Sequence, residues 1–272
     1  MTPCDGQPHD LPMTSRYAIY YAPARNSPWW ALGAHWLGRD ESNGSALPQP
    51  ACSALAAAAF QRITEPPRRY GFHATLKAPF RLHAHSSTDA LLARVQSLAG
   101  ELEGVELGPL VPVFMAAPRP AEAGRPPGGS RKVAKPHFLE SGFVALVPAL
   151  ANPSVNALAQ ACVTGLDDLR EPFSNAEIER RAEALDARGL ELLQRFGYPH
   201  VMERFRFHMT LTGPIDLALA RELIAQLAQP LAQLNAQAPA RLDRLCIFVE
   251  PAPGAPFQRM ADAMLALRST VR

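Results

Sequence analysis

The chain has 272 residues, of which 47% are hydrophobic, and a formal net charge of +2. This size and composition allow a full hydrophobic core in one large domain or two closely packed lobes. The small net charge argues against a general attraction to nucleic acid. No apolar run approaches the roughly 18 residues of a membrane span, and the start lacks the order of a signal peptide, so we expect a cytoplasmic protein.

Apolar patterning along the chain predicts an α+β fold. The predicted elements, in chain order, are a strand at 16–22, a helix at 51–62, a first motif strand around 69–80, a helix from 87 or 88, strands at 107–117 and 142–148, a helix from 154, helical stretches within 175–196, a second motif strand around 205–212, a helix at about 216–229, a strand at 242–249 and a final helix at about 257–268. Each half thus has the order motif strand, helix, strand, which suits antiparallel sheets with helices on their outer faces.

Cysteines give no sign of a disulfide framework. The four cysteines are scattered without a C-x-x-C motif. This usage favours free thiols in a reducing compartment over disulfides or a zinc site.

A short phrase occurs twice, as FHATLKAP at 72–79 and FHMTLTGP at 207–214. The two histidines, His73 and His208, are 208 − 73 = 135 positions apart, about half the chain. Repetition at this distance is typical of a duplicated unit. Each copy carries a histidine and a threonine two residues apart, Thr75 in the first and Thr210 in the second.

Both phrases alternate between apolar and polar residues, as half-buried strands do. Phe72 and Leu76, like Phe207 and Leu211, take the apolar positions, and the histidines and threonines take the polar ones. Residues two apart on a strand point to the same side, roughly 7 Å apart. We therefore expect both imidazoles and both hydroxyls to converge on one cleft, with the four apolar side chains buried beneath.

The paired H-x-T motifs on duplicated strand–helix units resemble the 2H phosphoesterase superfamily. The longer phrases RYAIYYAP, RRYGFHATLKAPF and FRFHMTLTGPI resemble its phosphonate-metabolism branch, the carbon–phosphorus lyase-associated, DUF1045-type proteins. The resemblance covers roughly residues 15–250. It implies a bilobal duplicated fold with two antiparallel sheets, outer helices and a central cleft, together with cyclic-phosphate or phosphodiester chemistry that needs no metal or other cofactor.

On this basis the predicted organisation is a flexible tail at 1–14 followed by a single bilobal domain at 15–272. Within the domain, residues 118–136 combine Pro, Gly and cations. Such a composition predicts a flexible basic insertion. The alternative is a basic flap that closes on a phosphorylated substrate.

Histidine suits both proton-transfer roles because its ordinary pKa lies near neutrality. We expect His73 and His208 to be the general acid and base, although the symmetry of the motifs leaves open which is which. The threonines of the motifs are expected to bind phosphate.

Four further residues are weaker candidates for the site. Lys77 and Arg206 share the parity of the histidines and are candidates for offsetting phosphate charge. Tyr20 and Thr212 are candidate pocket residues, with the sheet core as the default position for Tyr20. Arg16, Arg68 and Arg69 are candidates for reaching a second phosphate, but ordinary exposed arginines are the simpler interpretation.

The resulting hypothesis is a metal-independent phosphoesterase that hydrolyses a cyclic phosphate or phosphodiester of a small metabolite in phosphonate catabolism. One alternative is an RNA-end 2′,3′-cyclic phosphodiesterase. Because the basic excess is concentrated in 118–136, the small substrate is favoured over RNA. An alternative of another class is a non-catalytic module that binds a phosphorylated ligand. No membrane association and no stable protein partner are expected.

Overall fold

Ten strands and seven α-helices follow one another in the part of the chain that the computed structural model describes, residues 12, 14–116 and 141–267. The predicted insertion at 118–136 and most of the predicted tail lie outside the described residues. The strands are β1 (Arg16–Tyr21), β2 (Ala74–Phe80), β3 (Val105–Glu106), β4 (Leu110–Ala116), β5 (Ser141–Pro148), β6 (Met209–Thr210), β7 (Ile215–Asp216), β8 (Arg241–Leu242), β9 (Arg244–Glu250) and β10 (Gln258–Met264). The helices are α1 (Pro28–Leu37), α2 (Ala57–Arg68), α3 (Thr88–Glu101), α4 (Pro153–Gly165), α5 (Asn175–Ala182), α6 (Ala187–Phe196) and α7 (Leu217–Gln237).

A single eight-stranded sheet holds both motif strands. Its order is β10-β9-β1-β2-β6-β5-β4, with β7 paired to β5, and the strand pairings within it are antiparallel. The two motif strands, β2 and β6, are direct neighbours in the middle of this order. A separate two-stranded sheet joins β3 to β8.

One face of the large sheet is covered by helices. Helix α4 packs on β2, α7 on β4 and β5, and α3 on β9 and β10. The predicted apolar side chains of both motifs, Phe72, Leu76, Phe207 and Leu211, are at most 7% exposed and belong to this core. Their predicted burial is confirmed. The opposite face of the sheet carries a smaller cluster that includes Tyr20, Phe248 and Phe257.

The α+β class is confirmed, but the predicted bilobal arrangement of two antiparallel sheets around a central cleft is not, because the motif strands share one continuous sheet. After β2 and α3, the chain crosses to the far half of the sheet and adds β4 beside β5. After β6 and α7, it crosses the other way and adds β9 beside β1. Each half of the sheet therefore contains strands from both repeats, which ties the two halves into one continuous sheet.

Local sequence pattern gave one wrong element and missed another. The predicted final helix at about 257–268 is instead strand β10, which pairs along β9 and completes the sheet edge. Tertiary pairing outweighs a weak local helical pattern here. Helix α1 was not predicted, although Ser27 caps it by accepting a hydrogen bond from the Trp30 amide and Pro28 stands at its first turn.

No helix within the described ranges combines the length and the apolar character needed to cross a bilayer.

Lys77 lies on the helix-covered face of the sheet, contrary to its predicted position beside the histidines. Tyr20 of β1 pairs with Thr75, but Ile19 pairs with Lys77, so β2 has one extra residue between these pairs. Such a bulge interrupts the alternation of side chains. Lys77 is 3% exposed, and its Nζ donates to the Val163 carbonyl at 3.0 Å and to Asp167 Oδ1 at 3.1 Å.

Removing the partner of Lys77 should therefore cost stability. Asp167→Ala leaves a buried ammonium group without its carboxylate and also removes the ion pair to Arg170. We expect the free energy of unfolding to fall by about 3 kcal/mol, as for other broken buried pairs. Asp168→Ala is the matched control, since Asp168 pairs with Arg94 at the surface and should lose less than about 1 kcal/mol. Urea denaturation measures both, and equal losses would contradict the assignment of Lys77 to the core.

Candidate active site

A pocket of about 440 Å³ opens on the sheet face that carries the histidines. Its walls come from β1, β2, β5 and the segment that follows β6, with the end of α2 and the α5 and α6 region around them. The lining residues are Arg16, Tyr20, Pro66, Pro67, Tyr70, His73, Thr75, Ala78, Pro79, Phe143, Arg181, Gly197, Tyr198, Thr210, Thr212, Gly213 and Pro214.

The register of β2 and β6 explains why the two motifs meet. Ala74 pairs with Met209, and both are buried on the helix-covered side. Continuing this antiparallel register by one residue each way sets His73 opposite Thr210 and Thr75 opposite His208, because 73 + 210 = 75 + 208 = 74 + 209. Directly opposed residues share a face of the sheet, with Cβ atoms about 4.5–5.5 Å apart. The four side chains therefore form one compact group, in which each histidine faces the threonine of the other motif.

Both histidines are held in the same way. His73 Nδ1 lies 2.9 Å from the Gly71 carbonyl oxygen, and His208 Nδ1 lies 2.8 Å from the Arg206 carbonyl oxygen. A carbonyl can only accept, so each Nδ1 carries the proton and donates it. In the neutral imidazole, Nε2 is then left with a free lone pair. Thr75 Oγ1 lies 3.3 Å from His73 Nε2, within reach to donate its hydroxyl proton.

The surroundings of His73 favour its neutral form. Tyr20 stacks on the imidazole with ring centroids 3.9 Å apart, and Tyr70 lies at 6.0 Å. Burial lowers the pKa of His73 to about 4, and the charge of His208 acts in the same direction, while the Gly71 carbonyl opposes the shift. At neutral pH, His73 is therefore an uncharged proton acceptor.

Gly71 provides the carbonyl that fixes His73. Its φ is +80°, a left-handed conformation that favours glycine, and a Cβ at this position would lie 2.6 Å from Glu41 Cβ. Glu41 is fully buried and accepts a hydrogen bond from Trp30 Nε1 at 2.9 Å. The backbone at Gly71 thus packs against Glu41 and binds His73 through its carbonyl.

The structure brings some of the predicted site residues together and separates others. Thr75 and Thr210 line the pocket with His73, and His208 lies beside it, its ring 5.9 Å from that of the lining residue Phe143. Arg206 does not line this pocket: its Nη1 donates to the Phe205 carbonyl at 2.7 Å. Its placement was mispredicted because β6 begins only at Met209, so the strand alternation does not extend back to position 206.

The two weaker candidates, Tyr20 and Thr212, both line the pocket. Tyr20 is only 1% exposed and also packs in the smaller apolar cluster. Thr212 is fully buried, and its Oγ1 accepts a hydrogen bond from the Val144 amide at 3.0 Å. Thr212 therefore helps to hold β5 against the second motif.

Sequence reasoning missed several lining residues, including Tyr70, Tyr198 and Arg181. Tyr70 is on the apolar parity of its phrase, and Tyr198 lies between a glycine and a proline that indicate only a helix end. Neither pattern signals a pocket. Among the residues with described positions, no three His, Cys, Asp or Glu side chains are grouped closely enough to hold a metal ion.

Part of the chain matches a known protein family. Residues 135–258 match the family described as "Protein of unknown function (DUF1045)". The match supports the DUF1045 family to which the motif phrases point.

Two curated proteins are similar to the chain beyond that segment. One is ribose 1,5-bisphosphate phosphokinase PhnN of Janthinobacterium sp. (strain Marseille), 33% identical over 252 residues that cover 89% of this chain and 49% of the relative. The other has the same name, is from Laribacter hongkongensis (strain HLHK9), and is 33% identical over 259 residues that cover 94% of this chain and 54% of the relative. The chain thus spans about half the length of the curated relatives it matches.

The names of these relatives contradict the predicted hydrolytic activity. Both relatives are named as kinases and not as hydrolases. The prediction of a hydrolytic phosphoesterase is therefore wrong, and the RNA-end cyclic phosphodiesterase, which is also a hydrolase, falls with it. Because both names are those of enzymes, they support an enzyme over a non-catalytic binding module.

The glycine that fixes His73 can be tested against a matched glycine. Gly71→Ala and Gly44→Ala both place a methyl group at a left-handed backbone, φ +80° and +77°, but only Gly71 has a neighbour within 4 Å. We expect Gly44→Ala to lose roughly 1–2 kcal/mol of unfolding free energy from the backbone alone. Gly71→Ala should lose more and should also shift the NMR signals of His73. Identical losses, with unchanged imidazole signals, would show that Gly71 does not position His73.

The lowered pKa of His73 predicts a defined pH dependence of stability. Between pH 6.5 and about 4, the unfolded chain binds a proton at this imidazole that the folded protein does not bind. The free energy of unfolding should therefore fall as the pH is lowered through this range. In His73→Asn the free energy of unfolding should fall less over this range. Carboxylates contribute equally in both proteins, so the difference between the two proteins reports His73. An NMR titration of His73 with a midpoint near 6.5 would refute the prediction.

Proposed function

We propose that this chain is an enzyme domain that binds a small phosphorylated sugar in the pocket and performs acid–base chemistry at its phosphate with His73 and His208. The observation that carries the proposal is the matched pair of H-x-T motifs on neighbouring strands. Both histidines donate Nδ1–H to a backbone carbonyl, so neither Nε2 is held by the backbone, and Thr75, whose hydroxyl reaches His73 Nε2 at 3.3 Å, turns to the phosphate when substrate binds. A role in phosphonate metabolism, expected from the family resemblance, is part of this proposal.

The two histidines have different roles in the proposal. The hydroxyl that accepts a phosphoryl group gives its proton to Nε2 of the neutral His73 as its oxygen bonds to the phosphorus. The bond from that phosphorus to the oxygen of the phosphoryl donor breaks, and His208, in its protonated form, gives the Nε2 proton to that oxygen. A pKa of about 4 would make His73 a weak base in the empty pocket. The negative charge of a bound phosphate raises that pKa towards neutrality, where general bases are most effective. Thr75 and Thr210 donate hydrogen bonds to the non-bridging oxygens as charge builds up on them.

The class of substrate is supported by the relatives and by the size of the pocket. The relatives are named for a phosphokinase of ribose 1,5-bisphosphate, and phosphoryl transfer to a sugar requires that the accepting hydroxyl lose its proton. About 440 Å³ falls within the roughly 300–1,000 Å³ of small-molecule sites. The sequence has no G-x-x-x-x-G-K-[ST] loop for nucleotide phosphates, so the proposal assigns the sugar phosphate to this pocket, and magnesium ATP is tested as the phosphoryl donor.

Substitutions in the two motifs test the proposed roles. The protein is incubated with ribose 5-phosphate or ribose 1,5-bisphosphate, with and without magnesium ATP, and the phosphorus resonances are followed by NMR. We expect His73→Ala and His208→Ala each to lower kcat by about 10²–10⁴-fold. The double variant should fall by far less than the product of the two losses, because acid and base act together. Thr75→Val and Thr210→Val should lose roughly 10–10³-fold, as for an oxyanion donor.

His85→Ala provides the control, since His85 is exposed and lies outside the pocket. It should retain the parental rate. If the two motif variants fold and turn over like His85→Ala, the duplicated phrase is a structural repeat and the proposed function is wrong.

A further inference from the structure

The pocket continues beyond the histidines along β1 and β2. Arg16 precedes Tyr20 by four residues on β1, so both side chains point to the same face, about 13 Å apart along the strand. Tyr17 pairs with Phe80, which places Arg16 near the end of β2. Ala78 and Pro79, close to that end, also line the pocket. The pocket thus has a motif end at His73 and a second end at Arg16.

Arg16 is positioned at this second end by a buried carboxylate. Its Nε donates to Glu250, which is fully buried and also binds Arg69. One carboxylate shared by two guanidinium groups leaves one positive charge. Within the described ranges, the terminal nitrogens of Arg16 make no hydrogen bond. They remain available to a ligand.

Arg181 approaches the same end of the pocket from α5. It packs on the Phe173 ring at 4.4 Å and has no ion pair within the described part of the chain. Partial burial lowers the pKa of its guanidinium, the Glu177 carboxylate opposes this shift, and the charges of Arg180, Arg16 and Arg81 lower the pKa further. Arg16 and Arg181 both line the pocket, so two guanidinium groups face this space.

Arg81, another cation of this region, is already held in ion pairs. Arg81 pairs with Glu171 at 2.5 Å and with Glu177 at 3.1 Å, and it does not line the pocket. The guanidinium groups that face the pocket at this end are therefore those of Arg16 and Arg181.

We infer that Arg16 and Arg181 bind a second phosphate, so that the pocket selects a doubly phosphorylated small molecule over a singly phosphorylated one. Guanidinium groups match the geometry of phosphate oxygens and bind them with charge-assisted hydrogen bonds. The histidines and threonines hold the reacting phosphate at the other end. This inference rests on the proposed function, because it assumes that a phosphorylated sugar occupies the motif end.

Calorimetric titration of the whole chain with ribose 5-phosphate and ribose 1,5-bisphosphate tests the inference. The parent should bind the bisphosphate about 10–100-fold more tightly than the monophosphate. Arg181→Gln should reduce affinity for the bisphosphate roughly 10-fold and leave affinity for the monophosphate unchanged. Arg16→Lys keeps the charge beside Glu250 but loses the planar fork, and should give a smaller loss of the same kind.

Arg180→Gln is the matched control, since Arg180 is exposed on the same helix but does not line the pocket. It should bind both sugars like the parent, and thermal denaturation should show that all variants are folded. Equal affinity of the parent for both sugars, or Arg181→Gln behaving like Arg180→Gln, would overturn the second-phosphate site alone. If the parent binds neither sugar, the proposed function fails as well.

Discussion

The pairing of β2 with β6 at Ala74 and Met209 is the contact on which the site depends. It joins the two halves of the eight-stranded sheet at its centre. Because β2 and β6 are antiparallel neighbours, one pairing sets both histidines and both threonines on the same face. A shift of the register by one residue would turn one motif to the helix-covered side. The buried Phe72, Leu76, Phe207 and Leu211 oppose such a shift, since it would expose them.

The repeat in the sequence predicted which side chains lie together better than it predicted the architecture that holds them. The spacing of histidine and threonine and the apolar alternation were sufficient to place these side chains together and their neighbours in the core. The crossing of β4 and β9 into opposite halves of the sheet is a non-local property that no local pattern carries. The bulge that turns Lys77 inward is also a non-local property, because it is visible only in the pairing of β2 with β1. Tyr198 and Arg181 reach the pocket through tertiary packing alone.

The comparisons and the geometry constrain the function at different levels. The DUF1045 match covers residues 135–258 and so includes the second motif but not the first. The kinase relatives match most of this chain, and the matched part is about half of each relative. Their names contradict the predicted hydrolysis. The pocket adds the physical constraint, because two imidazoles with free Nε2 atoms beside two hydroxyls are suited to proton transfer at a phosphate.

A crystal structure with bound ribose 5-phosphate tests the central claim most directly, since the quantity to measure is the distance from the phosphate oxygens to the two Nε2 atoms. We predict one phosphate within hydrogen-bond distance, about 2.6–3.2 Å, of Nε2 in both His73 and His208, with Thr75 and Thr210 donating to the same group. A phosphate bound elsewhere, or one that contacts neither imidazole, would contradict the assignment of the paired motifs as a single acid–base site.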